Sequence, residues 1–214
     1  MPKPSATARA RKIKLILFDV DGVLTDGKIW IFPAPSGGQP SGAQQSLLEK
    51  SAQYGGQGGF GLHSISLIEA KGFHAHDGTA ISLARMAGIK TGIITKRISE
   101  TVALRARDLK IDHVYQGIQD KASVFAQILQ KDGITAAEAA FVGDDVIDLP
   151  AMRKCGLAIA VKNARPEVKA EAHWVTSHAG GDGAGRDAVE YILKAQSKWK
   201  QVVEDYISER EADI

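Results

Sequence analysis

Residues 13–27, IKLILFDVDGVLTDG, form the stretch that decides the fold. Its short apolar run, bounded by turn residues, predicts a buried strand of a parallel sheet. Ligands bind outside the carboxyl ends of such strands. Asp19 and Asp21 lie at that end, and extended residues two apart point to the same side. The stretch therefore predicts a strand that presents two carboxylates to one ligand.

From Asp77 onward, short apolar segments alternate with helical patterns. Strands are predicted at 89–95, 113–115, 139–142 and 157–161, with helices between them. This alternation is typical of βαβ units and predicts an α/β fold with a doubly wound, mostly parallel sheet. The amphipathic pattern of 187–210 predicts one long terminal helix.

The segment from Lys28 to Phe73 departs from this rhythm. Residues 28–32 predict a strand, proline and glycine interrupt regular structure over 33–61, and strand character resumes before Phe73. Loops beyond about 12 to 15 residues are usually functional or disordered. We interpret 28–73 as an elaborated β-hairpin flap that leaves the sheet beside the acidic turn.

Composition limits the class of protein. The chain has 214 residues, a formal net charge of +2 and one cysteine, Cys155, so an internal disulfide is excluded. The charge does not favour nucleic-acid binding, and no stretch approaches the roughly 20 apolar residues of a membrane span. We expect a cytoplasmic protein with one domain over 13–210, preceded by a basic, disordered tail over 1–12.

Polar residues follow the predicted strands or begin the helices that come next. They are Asp19, Asp21, Thr95, Lys121, Asp144, Asp145 and Asp148. Two carboxylates about 4 Å apart repel by roughly 4 kcal/mol at an effective dielectric of 20, so acids that converge must raise a pKa or hold a cation. An oxygen-only cluster favours Mg²⁺. A threonine and a lysine that face this ion would bind the equatorial oxygens of a phosphoryl group.

In this order, the residues resemble the motifs of the haloacid dehalogenase (HAD) superfamily of phosphotransferases. Asp19-Val20-Asp21-Gly22-Val23 is similar to the first motif, Thr95 to the second, Lys121 to the third, and residues 143–148 to the fourth. The resemblance implies a Rossmann-like core without a cap domain.

The resemblance also implies a role for each residue. Asp19 attacks phosphorus and becomes an aspartyl-phosphate, while Asp21 protonates the leaving alcohol and then activates water. The Asp19 carboxylate, the Asp21 carbonyl and Asp144 hold Mg²⁺. The phosphate is bound by Thr95 and Lys121, with Asp145 and Asp148 in supporting positions around the metal and the lysine.

A narrower resemblance is to the 3-deoxy-D-manno-octulosonate 8-phosphate phosphatases, which are compact, capless and tetrameric. It rests on residues 19–27, 71–73, 77–78, 94–95, 115–117 and 180–186. It implies a phosphomonoesterase for a small phosphorylated sugar. The leading candidate substrate is 3-deoxy-D-manno-octulosonate 8-phosphate, and the second is a nine-carbon keto-sugar-acid phosphate. It also implies a homo-oligomer, expected to be a tetramer.

Three positions depart from the pattern of those phosphatases. This chain has His76 and Asp182 where they commonly have arginine, and Lys96 where they have glycine. If either arginine binds the substrate carboxylate in those phosphatases, this chain is expected to act on a different or less anionic sugar phosphate. The candidate substrate contacts are His76, Arg97 and Arg186.

Two other functional classes stay open. Phospho-accepting receiver domains also combine an acidic pocket with threonine and lysine, but their acceptor aspartate stands alone on a middle strand. An inactive scaffold with the HAD fold is the second alternative, and the intact acids count against it.

Overall fold

The computed structural model describes residues 5–33 and 67–212. In that part of the chain the strands are β1 (Leu15–Phe18), β2 (Trp30–Pro33), β3 (Leu67–Ala70), β4 (Lys90–Ile94), β5 (His113–Tyr115), β6 (Ala139–Gly143), β7 (Leu157–Ala160) and β8 (Trp174–Val175). The α-helices are α1 (Ala6–Ala10), α2 (Ala75–Met86), α3 (Glu100–Asp108), α4 (Lys121–Asp132), α5 (Leu149–Met152), α6 (Pro166–Glu171), α7 (Ala184–Ala195) and α8 (Trp199–Ala212), and two short 3-10 helices span Ala136–Glu138 and Val146–Asp148.

Among the described residues, six strands form one parallel sheet in the order β5-β4-β1-β6-β7-β8. The strand predicted from the opening stretch, β1, lies at its centre, and all four of its residues are buried. Its last residue, Phe18, is in register with Ile93 of β4 and with Val142 of β6. Because parallel strands run the same way, the residues that follow β1, β4 and β6 meet at one edge of the sheet. The predicted α/β fold is confirmed.

Helix starts follow local capping chemistry. The Asp120 carboxylate accepts hydrogen bonds from the backbone N–H groups of Ala122 and Ser123, which starts α4 as predicted. Helix α2 begins at Ala75, four residues before the predicted start at Thr79, because the His74 side chain caps it. The cap brings Asp77 into the first turn, where its negative charge suits the helix dipole.

The expectation of a disordered tail is wrong for residues 5–12. Ser5 caps helix α1, and Ala10 is fully buried in the core. The Arg9 guanidinium donates to the carbonyl of Gly156 at 2.7 Å, and Gln196 donates to the carbonyl of Ile13 at 2.7 Å. Residues 1–4 lie outside the described part, and the domain bounds of 13–210 stay a prediction.

The single terminal helix is also wrong, because two helices occupy this region. Helix α7 ends at Ala195 and α8 begins at Trp199. Ser197 between them has a φ of 59°, a left-handed conformation that an α-helix cannot contain. The apolar periodicity continues across this break, so the pattern alone did not reveal it.

Strands β2 and β3 pair antiparallel, with Trp30 opposite Ala70 and Phe32 opposite Ile68. This pair stands at the base of the predicted flap, and the Gly- and Pro-rich segment between the strands lies outside the described residues. In the part of the chain that is described, no helix has the length and apolar character needed to cross a membrane.

Candidate active site

The acids, the threonine and the lysine meet at the carboxyl edge of the sheet. Asp19 directly follows β1, Thr95 follows β4 and Asp144 follows β6, while Lys121 is the first residue of α4. Asp19, Thr95 and Lys121 are each at most 3% exposed. The structure therefore brings together residues that the sequence separates by up to 125 positions.

Lys121 lies between two carboxylates. Its Nζ is 2.9 Å from Oδ1 of Asp19 and 2.7 Å from Oδ1 of Asp148. Burial alone would lower the pKa of Lys121, but the charges of Asp19 and Asp148 outweigh it and raise the pKa. The lysine therefore stays a cation that holds the Asp19 carboxylate in place.

Asp148 organises the loop that carries the second acidic cluster. Besides its contact with Lys121, its Oδ2 accepts hydrogen bonds from the backbone N–H groups of Asp144 at 2.9 Å and Asp145 at 3.3 Å. Both of its oxygens are thus occupied. Asp145 is exposed, and its carboxylate accepts from the N–H of Val146 at 2.7 Å.

Three carboxylates of the site form a cluster of oxygen atoms that suits a hard cation. One carboxylate oxygen from each of Asp19, Asp144 and Asp148 lies within 4.8 Å of the other two. Oδ1 of Asp144 is buried and finds no hydrogen-bond partner among the described residues. Because Asp148 is already committed to Lys121 and the loop, Asp19 and Asp144 are the carboxylates free to bind a divalent ion.

The electrostatics of the site agree with this reading. Burial, followed by the charges of Asp148, Asp19 and Asp145, raises the pKa of Asp144 to about 8. Burial raises the pKa of Asp19 to about 6, with Lys121 opposing and Asp148 adding to the effect. The ionised form of both carboxyls is therefore disfavoured, and a bound divalent cation would stabilise it and lower both pKa values.

The turn after β1 is shaped by close backbone packing. Gly22 has a φ of 93°, and a Cβ there would overlap the carboxylate of Asp144. The loop before α7 closes over this turn: a Cβ on Gly180 would overlap the carbonyl oxygen of Gly22, and the N–H of Gly181 donates to Val23 at 3.1 Å. Glycine is needed at both contact points.

Two charged residues of the site were not predicted. Lys71 donates to Oδ1 of Asp21, and Glu69 of β3 is 3.6 Å from the Lys71 ammonium. Lys71 was expected only as part of a segment similar to the family, and Glu69 was not among the predicted site residues. The only signal in the sequence was that two opposite charges, Glu69 and Lys71, follow apolar residues of the hairpin strand. The sequence could not show which residues they contact, because Asp21 lies 50 positions away from Lys71.

The candidate substrate contacts lie in different surroundings. Arg97 is in the site, with Nε 3.6 Å from Oδ2 of Asp21. His76 is exposed in the first turn of α2. The Arg186 guanidinium donates to Glu190 at 2.5 Å and lies 4.9 Å from the ring centre of Trp199. Their contact with substrate stays a prediction.

Comparison with known proteins agrees with the motifs. A family model for haloacid dehalogenase-like hydrolases matches residues 83–186. The chain is 37% identical over 191 residues to the 3-deoxy-D-manno-octulosonate 8-phosphate phosphatase of Escherichia coli K12, with 89% of this chain and 85% of the relative covered. It is 34% identical over 190 residues to the Yersinia pestis enzyme of the same name, with 89% and 84% covered.

A solved structure of the phosphatase of that name from Moraxella catarrhalis contains a magnesium ion, a phosphate ion and a KDO molecule. It matches this chain with a TM-score of 0.75 and 32% sequence identity, covering 94% of this chain and 97% of that one.

Proposed function

This chain belongs to the haloacid dehalogenase-like phosphatases, hydrolases of phosphoric monoesters, and from that membership we propose that its substrate is 3-deoxy-D-manno-octulosonate 8-phosphate. The observation that carries the proposal is the buried contact of Lys121 with Asp19 beside Asp144, in a chain similar over most of its length to phosphatases of that name.

In the proposed reaction Asp19 is the nucleophile. One of its carboxylate oxygens forms a bond to phosphorus while the ester bond breaks, and Asp21 gives its proton to the leaving oxygen. In the second step the Asp21 carboxylate takes a proton from water as the water oxygen attacks phosphorus. The bond between Asp19 and phosphorus then breaks and releases phosphate. Two displacements replace one slow hydrolysis.

We propose Mg²⁺ as the cofactor. The carboxylates of Asp19 and Asp144 and the backbone carbonyl of Asp21 would hold it. This assignment is supported by Oδ1 of Asp144, which finds no hydrogen-bond partner in the described part of the chain. When bound, the ion supplies positive charge that stabilises the phosphoryl oxygens in the transition state. Thr95 and Lys121 would bind other phosphoryl oxygens through a hydroxyl and an ammonium group.

A nine-carbon keto-sugar-acid phosphate is the second candidate substrate. His76 and Asp182 stand where the phosphatases that this chain resembles commonly have arginine. If either arginine binds the substrate carboxylate, a different or less anionic sugar phosphate is expected. Family membership argues against a receiver domain, and the complete set of acids argues against an inactive scaffold.

A panel of sugar phosphates ranked by kcat/KM in Mg²⁺ tests the substrate. We expect 3-deoxy-D-manno-octulosonate 8-phosphate to rank first, and a nucleotide or a phosphoprotein in that place would refute the proposal.

The same assay tests the nucleophile. Asp19→Asn should lower kcat by at least about a thousandfold, because loss of a covalent nucleophile removes the whole pathway. Asp26→Asn is the matched control, since Asp26 lies on the same turn but is exposed and pairs with Lys28. An Asp19→Asn variant that keeps more than about a tenth of kcat would remove Asp19 from this role.

A further inference from the structure

A charged network joins the hairpin strand β3 to Asp21. The Lys71 ammonium donates to Oδ1 of Asp21 and is 3.6 Å from Oε1 of Glu69. The Arg97 guanidinium is near both acids as well, with Nη2 3.0 Å from Oε2 of Glu69 and Nε 3.6 Å from Oδ2 of Asp21. Two cations and two carboxylates thus alternate in space.

We propose that Lys71 is a positioning residue for the proton transfers of Asp21. It binds Oδ1 and so fixes the rotation of the carboxyl group. Oδ2 lies 3.6 Å from Nε of Arg97, which is beyond hydrogen-bond distance, and is therefore the oxygen that gives a proton to the leaving alcohol and later takes one from water. This inference rests on the roles proposed for Asp19 and Asp21, and it adds the residue that orients the acid.

The burial of Lys71 supports a fixed geometry. Its side chain is 0% exposed, whereas that of Asp21 is 19% exposed. A buried ammonium group is tolerated only where carboxylates or other acceptors surround it, so Lys71 has no aqueous alternative to its acidic partners. The Thr25 hydroxyl lies 3.5 Å from the same Oδ1 and completes its surroundings.

Glu69 keeps the network electrically balanced. Burial alone would raise the pKa of Glu69, but hydrogen bonds from Ser99 and Arg97 and the charge of Lys71 lower it overall. Glu69 therefore remains a carboxylate and offsets the second cation, Arg97. Without it, Lys71 and Arg97 would compete for Asp21, and the ammonium group would lose its second acidic partner.

The chemistry of the leaving group makes the inference testable. An alkoxide is a poor leaving group and needs a proton as the ester bond breaks, whereas p-nitrophenolate leaves without one. Since kcat/KM reports the steps up to the first irreversible one, it contains this proton transfer but not the later attack of water. p-Nitrophenyl, phenyl and benzyl phosphate form a suitable series, because each carries one ring and no sugar.

Lys71→Met removes the ammonium group and keeps the length of the side chain. We expect kcat/KM to fall by about a hundredfold for benzyl phosphate, the low end of what a general acid contributes, and by less than about fivefold for p-nitrophenyl phosphate. Lys71→Arg should recover part of the loss. Lys28→Met is the control, because Lys28 precedes the same hairpin and its side chain is 70% exposed.

A double-mutant cycle separates orientation from other effects. If Lys71 acts through Asp21, Lys71→Met should change kcat/KM for phenyl phosphate by less than about twofold once Asp21→Asn is present, because the two changes remove one function. Thermal unfolding of each variant shows that the fold is kept. An equal loss for all three esters, or the same loss in the Asp21→Asn background, would overturn the inference.

The test is independent of the substrate assignment. A loss confined to sugar-acid phosphates would mean that Lys71 binds the substrate directly, and this also overturns the inference. If the parent enzyme failed on 3-deoxy-D-manno-octulosonate 8-phosphate but Lys71→Met changed the ester series as expected, the proposed substrate would be wrong and the role of Lys71 would stand.

Discussion

At the scale of single residues, the site carries an excess of negative charge. Asp19, Asp144 and Asp148 lie together around the one ammonium group of Lys121, and Asp144 receives no hydrogen bond at Oδ1 from the described residues. Lys121 contacts Asp19 and Asp148, and its charge lowers the pKa of Asp144 by less than burial and the neighbouring carboxylates raise it. The raised pKa of Asp144 makes the free energy of unfolding of the metal-free protein depend on pH.

In metal-free solution, the free energy of unfolding should fall as pH rises between about 4 and about 8. The ordinary pKa of the group is 3.8 and that of folded Asp144 is about 8, so in this window the folded chain keeps a proton that the unfolded chain releases. Asp144→Asn removes this titration. At about pH 8 the variant in EDTA should therefore unfold at least about 2 °C higher than the parent.

The same thermal unfolding experiment tests the metal. Mg²⁺ should stabilise the parent at pH 8, because it binds the folded state, and should not stabilise Asp144→Asn. Asp108→Asn is the control, since Asp108 is exposed at the end of α3. Equal stabilisation of the parent and Asp144→Asn by Mg²⁺ would show that Asp144 is not a ligand.

At the scale of elements, the turn after β1 depends on a loop from the far end of the sheet. Residues 176–183 connect β8 to α7, and Gly180 packs directly on the carbonyl of Gly22. The N–H of Gly180 also donates to the Asn163 side chain at 2.8 Å, which holds the loop from its other side. The position of the Asp19–Asp21 turn is therefore set by backbone contacts and not only by its own sequence.

Gly180→Ala should disturb both stability and activity. The new methyl group has no space beside Gly22, and overpacking of this kind typically costs about 1–3 kcal/mol. The turn that carries Asp19 and Asp21 must then shift, so kcat for p-nitrophenyl phosphate should fall by about tenfold or more.

Gly72→Ala is the matched control, because a Cβ there meets no atom within 4 Å. Unfolding midpoints and kcat are measured for both variants. If Gly180→Ala resembles Gly72→Ala in both properties, the loop does not position the turn.

At the scale of the whole molecule, the hairpin strands leave apolar side chains uncovered. Ile29, Trp30, Ile31, Phe32 and Ile68 are each between 39% and 55% exposed. Neighbouring residues of a strand point to opposite faces, so both faces of the β2–β3 ribbon are apolar. A two-stranded ribbon is marginal alone, and we expect copies of this chain to cover it in a homo-oligomer, with a tetramer as the expected size.

Light scattering tests this expectation. The intact protein should have several times the 22.9 kDa mass of one chain. Trp30→Lys combined with Phe32→Lys should lower the mass, because charges would then lie in the apolar contact. Ile207→Lys is the control, since Ile207 is 48% exposed but lies on α8, away from the hairpin.

A shortened hairpin separates the strands from the segment between them. With residues 35–59 replaced by a short turn, the oligomer should persist while selectivity among sugar phosphates falls. An intact protein that is monomeric and fully selective would contradict the expected role of the hairpin.

The sequence by itself determined the architecture and the acids of the site. Apolar runs and helical periods are local patterns, so they located β1, β4 and β6, and a parallel arrangement of these strands aligned Asp19, Thr95 and Asp144. The predicted α/β fold follows from the alternation of strands and helices, and the resemblance of the motifs to the HAD superfamily indicates a phosphatase. Capping residues such as Asp120 could also be predicted from the sequence, because they form hydrogen bonds with the next few residues.

Only the tertiary structure decided which charges meet. Lys71 and Asp21 are 50 positions apart, and the hairpin insert lies between them. Periodicity reports which face of an element is buried but not which distant atom its side chains contact. The break at Ser197 could not be predicted, because it is a change in a single backbone angle. The raised pKa of Asp144 could not be predicted either, because it depends on burial and on charges that separate segments of the chain bring close to it.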